Sequence, residues 1–204
     1  MRNIVLIFTF LFLLSCKNSE SKTELEVSKV KDINQILQVV IIEDSLNVLK
    51  NGTDTRMFCK ELTKLSVYVP EKAKNGEIPP PPPPSFQEVS IEDLLHYRKS
   101  FYFSAKDSLS LLKQNSNPEK FKIEESLAEK INQTTKEKEI NKKKKGKPFD
   151  FYEMTIPIFS LDNQKAYLEL NHHCGGLCGG GTSIFLRKIN GKWKIVDKRQ
   201  TWMS

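Results

Sequence analysis

EMTIPIFSLDNQKAYLELNHHCGGLCGGGTSIFLRKINGKWKIV, residues 153–196, carries the alternation that decides the fold. Met154, Ile156 and Ile158 fall two apart, as do Ala166, Leu168 and Leu170, then Ile184 and Leu186, then Trp193 and Ile195. A period of two puts such residues on one face of a strand, so four strands are predicted. Asp162-Asn163 sits in the first connection. Asn190-Gly191, in the third, is the strongest short hairpin signal, because both turn positions favour positive φ. Together these give an antiparallel meander. Pro157 has no amide hydrogen for a central ladder, which assigns its strand to the sheet edge or to a bulge.

Upstream of the meander the pattern becomes helical. From Asp32, apolar residues recur at Ile33, Ile36, Leu37, Val40 and Ile41, then Leu46 and Leu49, near the 3.6-residue period. Asp32 with Gln35 resembles a capping box, and Asn51-Gly52 supplies a stop. Leu65, Val67 and Val69 predict a short strand ended by Pro70. Residues 71–87 contain prolines at every position from Pro79 to Pro84, an extended polyproline II path. The flanks carry no second motif, so this segment reads as a stiff surface loop in preference to a docking ligand. Ser90 and Asp93 form a further capping box opening a short helix. Phe101–Phe103 reads as a strand, Ser104–Lys113 as a short helix, Phe121–Ile123 as a strand, and Glu124–Ile131 as helical. The lysine run within 141–148 reads as a solvated loop broken by Gly146 and Pro148, since nothing apolar accompanies the charge that would favour lipid phosphates.

The first residues assign an address. Arg2 is a positive n-region, Ile4–Leu14 (IVLIFTFLFLL) a hydrophobic segment too short to span a bilayer, and Leu13-Leu14-Ser15-Cys16 a cleavage site ending in cysteine. This resembles a bacterial lipobox signal, which implies removal of residues 1–15 and acylation (palmitate among the chains) of Cys16. Lys17 stands where an aspartate commonly retains such proteins in the inner membrane, which favours the outer membrane and leaves its face, periplasmic or surface, open. The polar segment 16–31 then reads as a lipidated flexible tether, and 32–204 as a single domain. The net charge of +7 is spread along the chain and argues for solubility, with no nucleic-acid partner expected.

One cluster is unusual: His172, His173, Cys174, Gly175, Gly176, Leu177, Cys178, Gly179, Gly180 and Gly181. Five of the nine glycines fall here, so the backbone is expected to turn through conformations closed to other residues, or to pass close to another element. CGGLCGGG followed by a strand and GKWKI resembles the C-terminal part of uncharacterised small lipoproteins and secreted proteins common in Bacteroidota. The resemblance implies kinship and no known activity.

Three chemistries compete for the cluster. In an oxidising envelope, Cys174 and Cys178 can close a disulfide, worth about 2 kcal/mol for so small a ring. Cys59 is then left as a small buried apolar residue. Alternatively His172 or His173 with Cys174 and Cys178 could ligate a metal, although adjacent histidines on a strand point to opposite faces. Thirdly, Cys178 followed by three glycine amides could be an activated thiol with a histidine base, but the chain holds only His96, His172 and His173 and no familiar order of Cys and His. No serine-hydrolase elbow, phosphate loop, dinucleotide fingerprint or HExxH pair occurs, so no catalytic residue and no cofactor is assigned. Asp150, Glu153, Asp162 and Glu169 read as solvated surface charge, and Phe149, Phe151, Tyr152, Phe159 and Phe185 as core.

The expected fold is α+β, N-terminal helices packed on a C-terminal antiparallel meander, by analogy a cystatin-like or nuclear-transport-factor-like curved sheet. The expected function is that of a membrane-anchored envelope lipoprotein, a non-enzymatic module binding an envelope protein or a small ligand. The alternative is a thiol-redox or metal module at His172–Cys178.

Overall fold

The computed structural model describes residues 17–51, 56–71, 87–96 and 102–204, with the backbone alone over 17–28. The signal segment with Cys16, Gly52, the proline-rich residues 72–86, and Phe101 lie outside the described residues. The fold is α+β. Its elements run α1 (Lys17–Glu43), β1 (Met57–Cys59), β2 (Glu61–Thr63), β3 (Ser66–Tyr68), β4 (Glu88–Ser90), α2 (Ile91–Leu95) and α3 (Ser108–Lys113). There follow β5 (Lys120–Lys122), α4 (Glu125–Ala128), β6 (Gln133–Thr134) and α5 (Lys136–Lys144). The C-terminal strands are β7 (Asp150–Met154), β8 (Ile158–Phe159), β9 (Lys165–Cys174), β10 (Gly180–Ile189) and β11 (Lys192–Met203).

Strands β9, β10 and β11 form the expected antiparallel meander, and Asn190 (φ 50) with Gly191 (φ 75) makes the tight turn. The large sheet runs β11-β10-β9-β7-β1-β6, with β8 also on β9. Two short strands from outside the meander therefore join it, β1 parallel to β7 and β6 parallel to β1. The predicted single strand through Met154 and Ile158 is two strands. Pro157 interrupts it, and the bare amide and carbonyl of Phe159 in β8 are met instead by the side-chain amide of Gln114, at 2.9 Å each way.

Both faces of the sheet are covered over its central strands. Ala166, Leu168, Leu170, Ile184, Leu186 and Trp193 pack under Ile33, Ile36, Leu37 and Val40 of α1. On the opposite face, Tyr167 and Phe185 meet Val67, Leu94, Tyr102, Phe103 and Leu111. Ser90 caps α2 as expected, accepting from the Asp93 amide at 2.9 Å. Tyr102 and Phe103 are buried without forming the expected strand; the Tyr102 hydroxyl donates to the Leu186 carbonyl, so the ring pair is fixed by packing and not by a ladder. Leu127 and Ile131 are buried as the spacing implied, although α4 spans only four residues.

Four further expectations are corrected. Helix α1 begins before Asp32, so part of the segment expected as a flexible tether is helical and Asp32 caps nothing. The helix ends at Glu43, where Ser45 (φ 48) and Asn47 (φ 57) turn the chain, and does not continue to residue 51. The lysine run is no loop as far as Lys144: it forms the last turns of α5, where cations oppose the negative end of the helix dipole, and Gly146 (φ 64) follows. Glu153 and Glu169 are not solvated, because β7 and β9 are covered on both faces. Asp162 does remain exposed, closing its turn on the Ser160 hydroxyl at 2.6 Å.

Asp32 does a different job from capping. Its buried carboxylate accepts from Lys188 Nζ at 2.9 Å and from Trp193 Nε1 at 3.0 Å, tying α1 to the β10–β11 hairpin. Removing it leaves two donors without partners. Asp32→Ala is expected to lower stability by about 2–3 kcal/mol, measured as a shift of the urea midpoint at unchanged slope; a loss under about 0.5 kcal/mol would mean the lock is not structural.

Candidate functional site

Near the end of β9, His172 and His173 precede its last residue, Cys174, and follow strand alternation onto opposite faces. His172 stacks on Tyr152, its cross-strand partner, with ring centroids 4.5 Å apart, and its Nε2 lies 2.7 Å from Asp150 Oδ1. Arg56 closes the group, with Nε 3.6 Å from Asp150 Oδ2 and Nη1 donating to the Tyr152 hydroxyl oxygen at 3.3 Å. His173 stacks on Phe151 at 4.8 Å, and its Nε2 stands 3.3 Å from Glu153 Oε2, at ion-pair distance but off the line of a hydrogen bond. Burial pushes the Glu153 carboxyl up, but His173 and Lys136, whose Nζ is 2.9 Å from Oε1, outweigh it and hold the pKa below the ordinary value.

Cys174 and Cys178 stand at disulfide distance, with Cα atoms 5.9 Å apart, within the range a bridge requires. Cys59 is buried away from them, and burial, reinforced by the charge of Glu153, pushes its thiol up to about 12. His172, His173, Cys174 and Cys178 do not converge, since the imidazoles lie on opposite faces and the sulfurs face each other. Among the described residues no group of three or more His, Cys, Asp or Glu is arranged to hold a metal ion. The glycine amides after Cys178 are also engaged: Gly179 N–H donates to Ser204 Oγ at 3.1 Å, and Gly180 and Gly181 sit in the ladder between β9 and β11.

The glycines have two different causes. Gly176 alone in this cluster has positive φ (98°), so the expectation of special backbone holds at one position. At Gly181 the cause is space: a Cβ would lie 2.2 Å from Trp202 Nε1 and 2.5 Å from Thr201 Oγ1. The Trp202 indole lies across this bare backbone and donates to Asn171 Oδ1 at 3.1 Å. A Cβ at Gly179 would likewise meet Ser204 Oγ at 2.7 Å.

On the face of His172 lies a cleft of about 390 Å³. Two cross-strand rows build its wall: Tyr152, His172, Gly180 and Met203, and beside them Leu170, Thr182 and Gln200. A bulge in β11 between Gln200 and Trp202 brings Gln200 and Met203 onto the same side. Leu46, Leu170 and Tyr152 are its buried apolar surfaces, Leu177 and Met203 are exposed at its lip, and Lys198, paired with Asp44, stands on one wall. No family model, curated protein or solved structure matches the chain.

Several members of these groups have no signature in the sequence. Arg56 and Asp150 stand nearly a hundred residues apart, and Trp202 lies beyond the alternation that defines the strands. For the buried carboxylates a signal existed: Tyr167 and Phe185 stand out of phase with the alternating aliphatics, which marks these strands as apolar on both faces. Glu169, at 8 % exposure, accepts from the Gln87 amide and the Tyr167 hydroxyl, both at 3.1 Å; burial, partly countered by these bonds, pushes its pKa up to about 7.

Two outcomes are expected. Gly181→Ala must displace Trp202, with a loss of about 1–3 kcal/mol and a changed indole emission, whereas Gly180→Ala, whose nearest neighbour is at 3.4 Å, causes no loss and raises stability by up to about 1 kcal/mol; equal losses would refute the packing assignment. For Glu169 the native group holds its proton up to about 7 while the unfolded carboxyl releases it near 4.5. Stability therefore falls as pH rises across that window and is level above it. Glu169→Gln removes about 3 kcal/mol of this fall, seen by comparing the two proteins' unfolding free energies from pH 4.5 to 7.5; parallel curves would refute it.

Proposed function

We propose that this chain is an envelope lipoprotein, anchored through acylated Cys16 in the outer membrane, whose α+β domain binds a small ligand or a segment of an envelope protein without transforming it. The resemblance of CGGLCGGG and GKWKI to small Bacteroidota lipoproteins and the lipobox order of residues 13–16 support the address. What carries the binding role is the cleft on the His172 face: it combines buried apolar surfaces with polar walls, the usual composition of a ligand seat. Its ionisable side chains are used in pairs, His172 with Asp150 and Lys198 with Asp44, an arrangement suited to holding a shape.

A second reading, thiol exchange, draws on one observation: Cys178 is exposed at the lip of this cleft. Alkylation of the native protein before and after denaturation separates the two. Binding without thiol chemistry requires Cys174 and Cys178 to stay unmodified throughout and Cys59 to react only after unfolding; rapid labelling of Cys178 in the native protein would replace the proposal.

For the address, the full chain expressed in a bacterium that exports lipoproteins is expected in the outer-membrane fraction. Its intact mass should equal that of the chain from Cys16 with glyceride and acyl chains added, and Cys16→Ser should abolish both processing and anchoring. The same fractionation for wild type and variant would overturn lipidation.

A further inference from the structure

Neither backbone nor packing requires a glycine at Gly175 or at Gly180, and of the two only Gly180 lies in a strand and lines the cleft. Its φ lies outside the positive region. A Cβ there would find the Trp202 carbonyl oxygen at 3.4 Å and Gln200 Nε2 at 4.0 Å, ordinary contact distances, in contrast to the clashes at Gly179 and Gly181. Glycine within a strand costs roughly 0.5–1 kcal/mol relative to a residue with a side chain. In the row Tyr152, His172, Gly180, Met203, its missing side chain is what opens the cleft between the imidazole and the thioether.

The chemistry around this notch is lopsided. Leu46, Leu170 and Tyr152 are apolar and buried, and Leu177 and Met203 add apolar surface at the lip. Thr182 and Gln200 contribute neutral donors from the neighbouring row. In the Lys198–Asp44 pair the lysine side chain is 48 % exposed and the aspartate 10 %, so the pair shows an entering molecule its ammonium and hides its carboxylate. One exposed cation beside neutral donors suits a monoanion; a phosphate dianion is ordinarily gripped by several cations or an arginine fork.

Resting on the binding role proposed above, we infer that Gly180 is kept bare to seat a small amphiphilic carboxylate, its apolar part in the notch and its carboxylate on Lys198 and Gln200. The probe is hexanoate, with hexanol and hexylamine as controls, titrated into the mature chain carrying Cys16→Ser and followed through the amide resonances of residues 179–181 and 200. Hexanoate is expected to give saturable shifts at these amides, and hexanol to bind about tenfold more weakly for want of the charge-assisted contact. Lys198→Gln should bring hexanoate down to the level of hexanol. Gly180→Leu should abolish the shifts, and Gly180→Ala, which the contacts above admit without strain, should weaken them in step. Hexanoate binding undiminished in Gly180→Ala and Gly180→Leu, or absent at these amides, overturns the inference. Equal binding of hexanol and hexanoate discards the carboxylate while leaving the cleft a binding site.

Discussion

Strand β9 pairs with β10 along one edge and with β7 and β8 along the other, and it is covered on both faces. Its side chains therefore set two layers at once. Ala166, Leu168 and Leu170 define where α1 lies, while Tyr167 fixes the packing around Tyr102, Phe103 and Phe185. Where the apolar residues run out, at Asn171, the same alternation hands one histidine to each face. The cleft and the Glu153 ion pair are thus on the two faces of one end of the same strand, and a shift of register by one residue would exchange them.

The glycine loop is then less a flexible hinge than a fitted surface. Trp202 lies over Gly181 on one side of β10, which forbids a side chain there, while on the other side the bare Gly180 opens the cleft. The cysteines at disulfide distance span the turn just before this segment, so the loop's conformational freedom is spent before it reaches the indole. Loop closure, indole packing and the bulge of β11 act together at one corner of the sheet.

The meander was legible because Leu168, Leu170, Ile184 and Leu186 obey a strict period of two, and because Asn190-Gly191 has few alternatives to a tight turn. The polar partners were not. Asp32 resembles a cap in sequence and is instead the acceptor for Lys188 and Trp193, a relation that exists only once α1 crosses the hairpin. The parallel pairing of β1 onto β7 and of β6 onto β1 leaves no trace in segments of two or three residues, where periodicity cannot be distinguished from chance. In the candidate site, the opposite facing of His172 and His173 followed from strand geometry alone. The Arg56–Asp150 contact and the role of Trp202 depend on long-range proximity that no local pattern encodes.

Helix α1 has a mechanical side. Lys29, Val30 and Lys31 are exposed, and Asp32 and Ile33 are the first of its described side chains to be buried. A pull on the N-terminal end of the chain travels along a hydrogen-bonded rod and reaches the sheet at Asp32, where it loads Lys188 and Trp193 together. Because β11 is an edge strand, that force falls on a hairpin held by a single neighbouring ladder. The tie between helix and hairpin, made by residues 156 positions apart in the chain, is therefore the first polar contact with the sheet that such a pull meets among the described side chains.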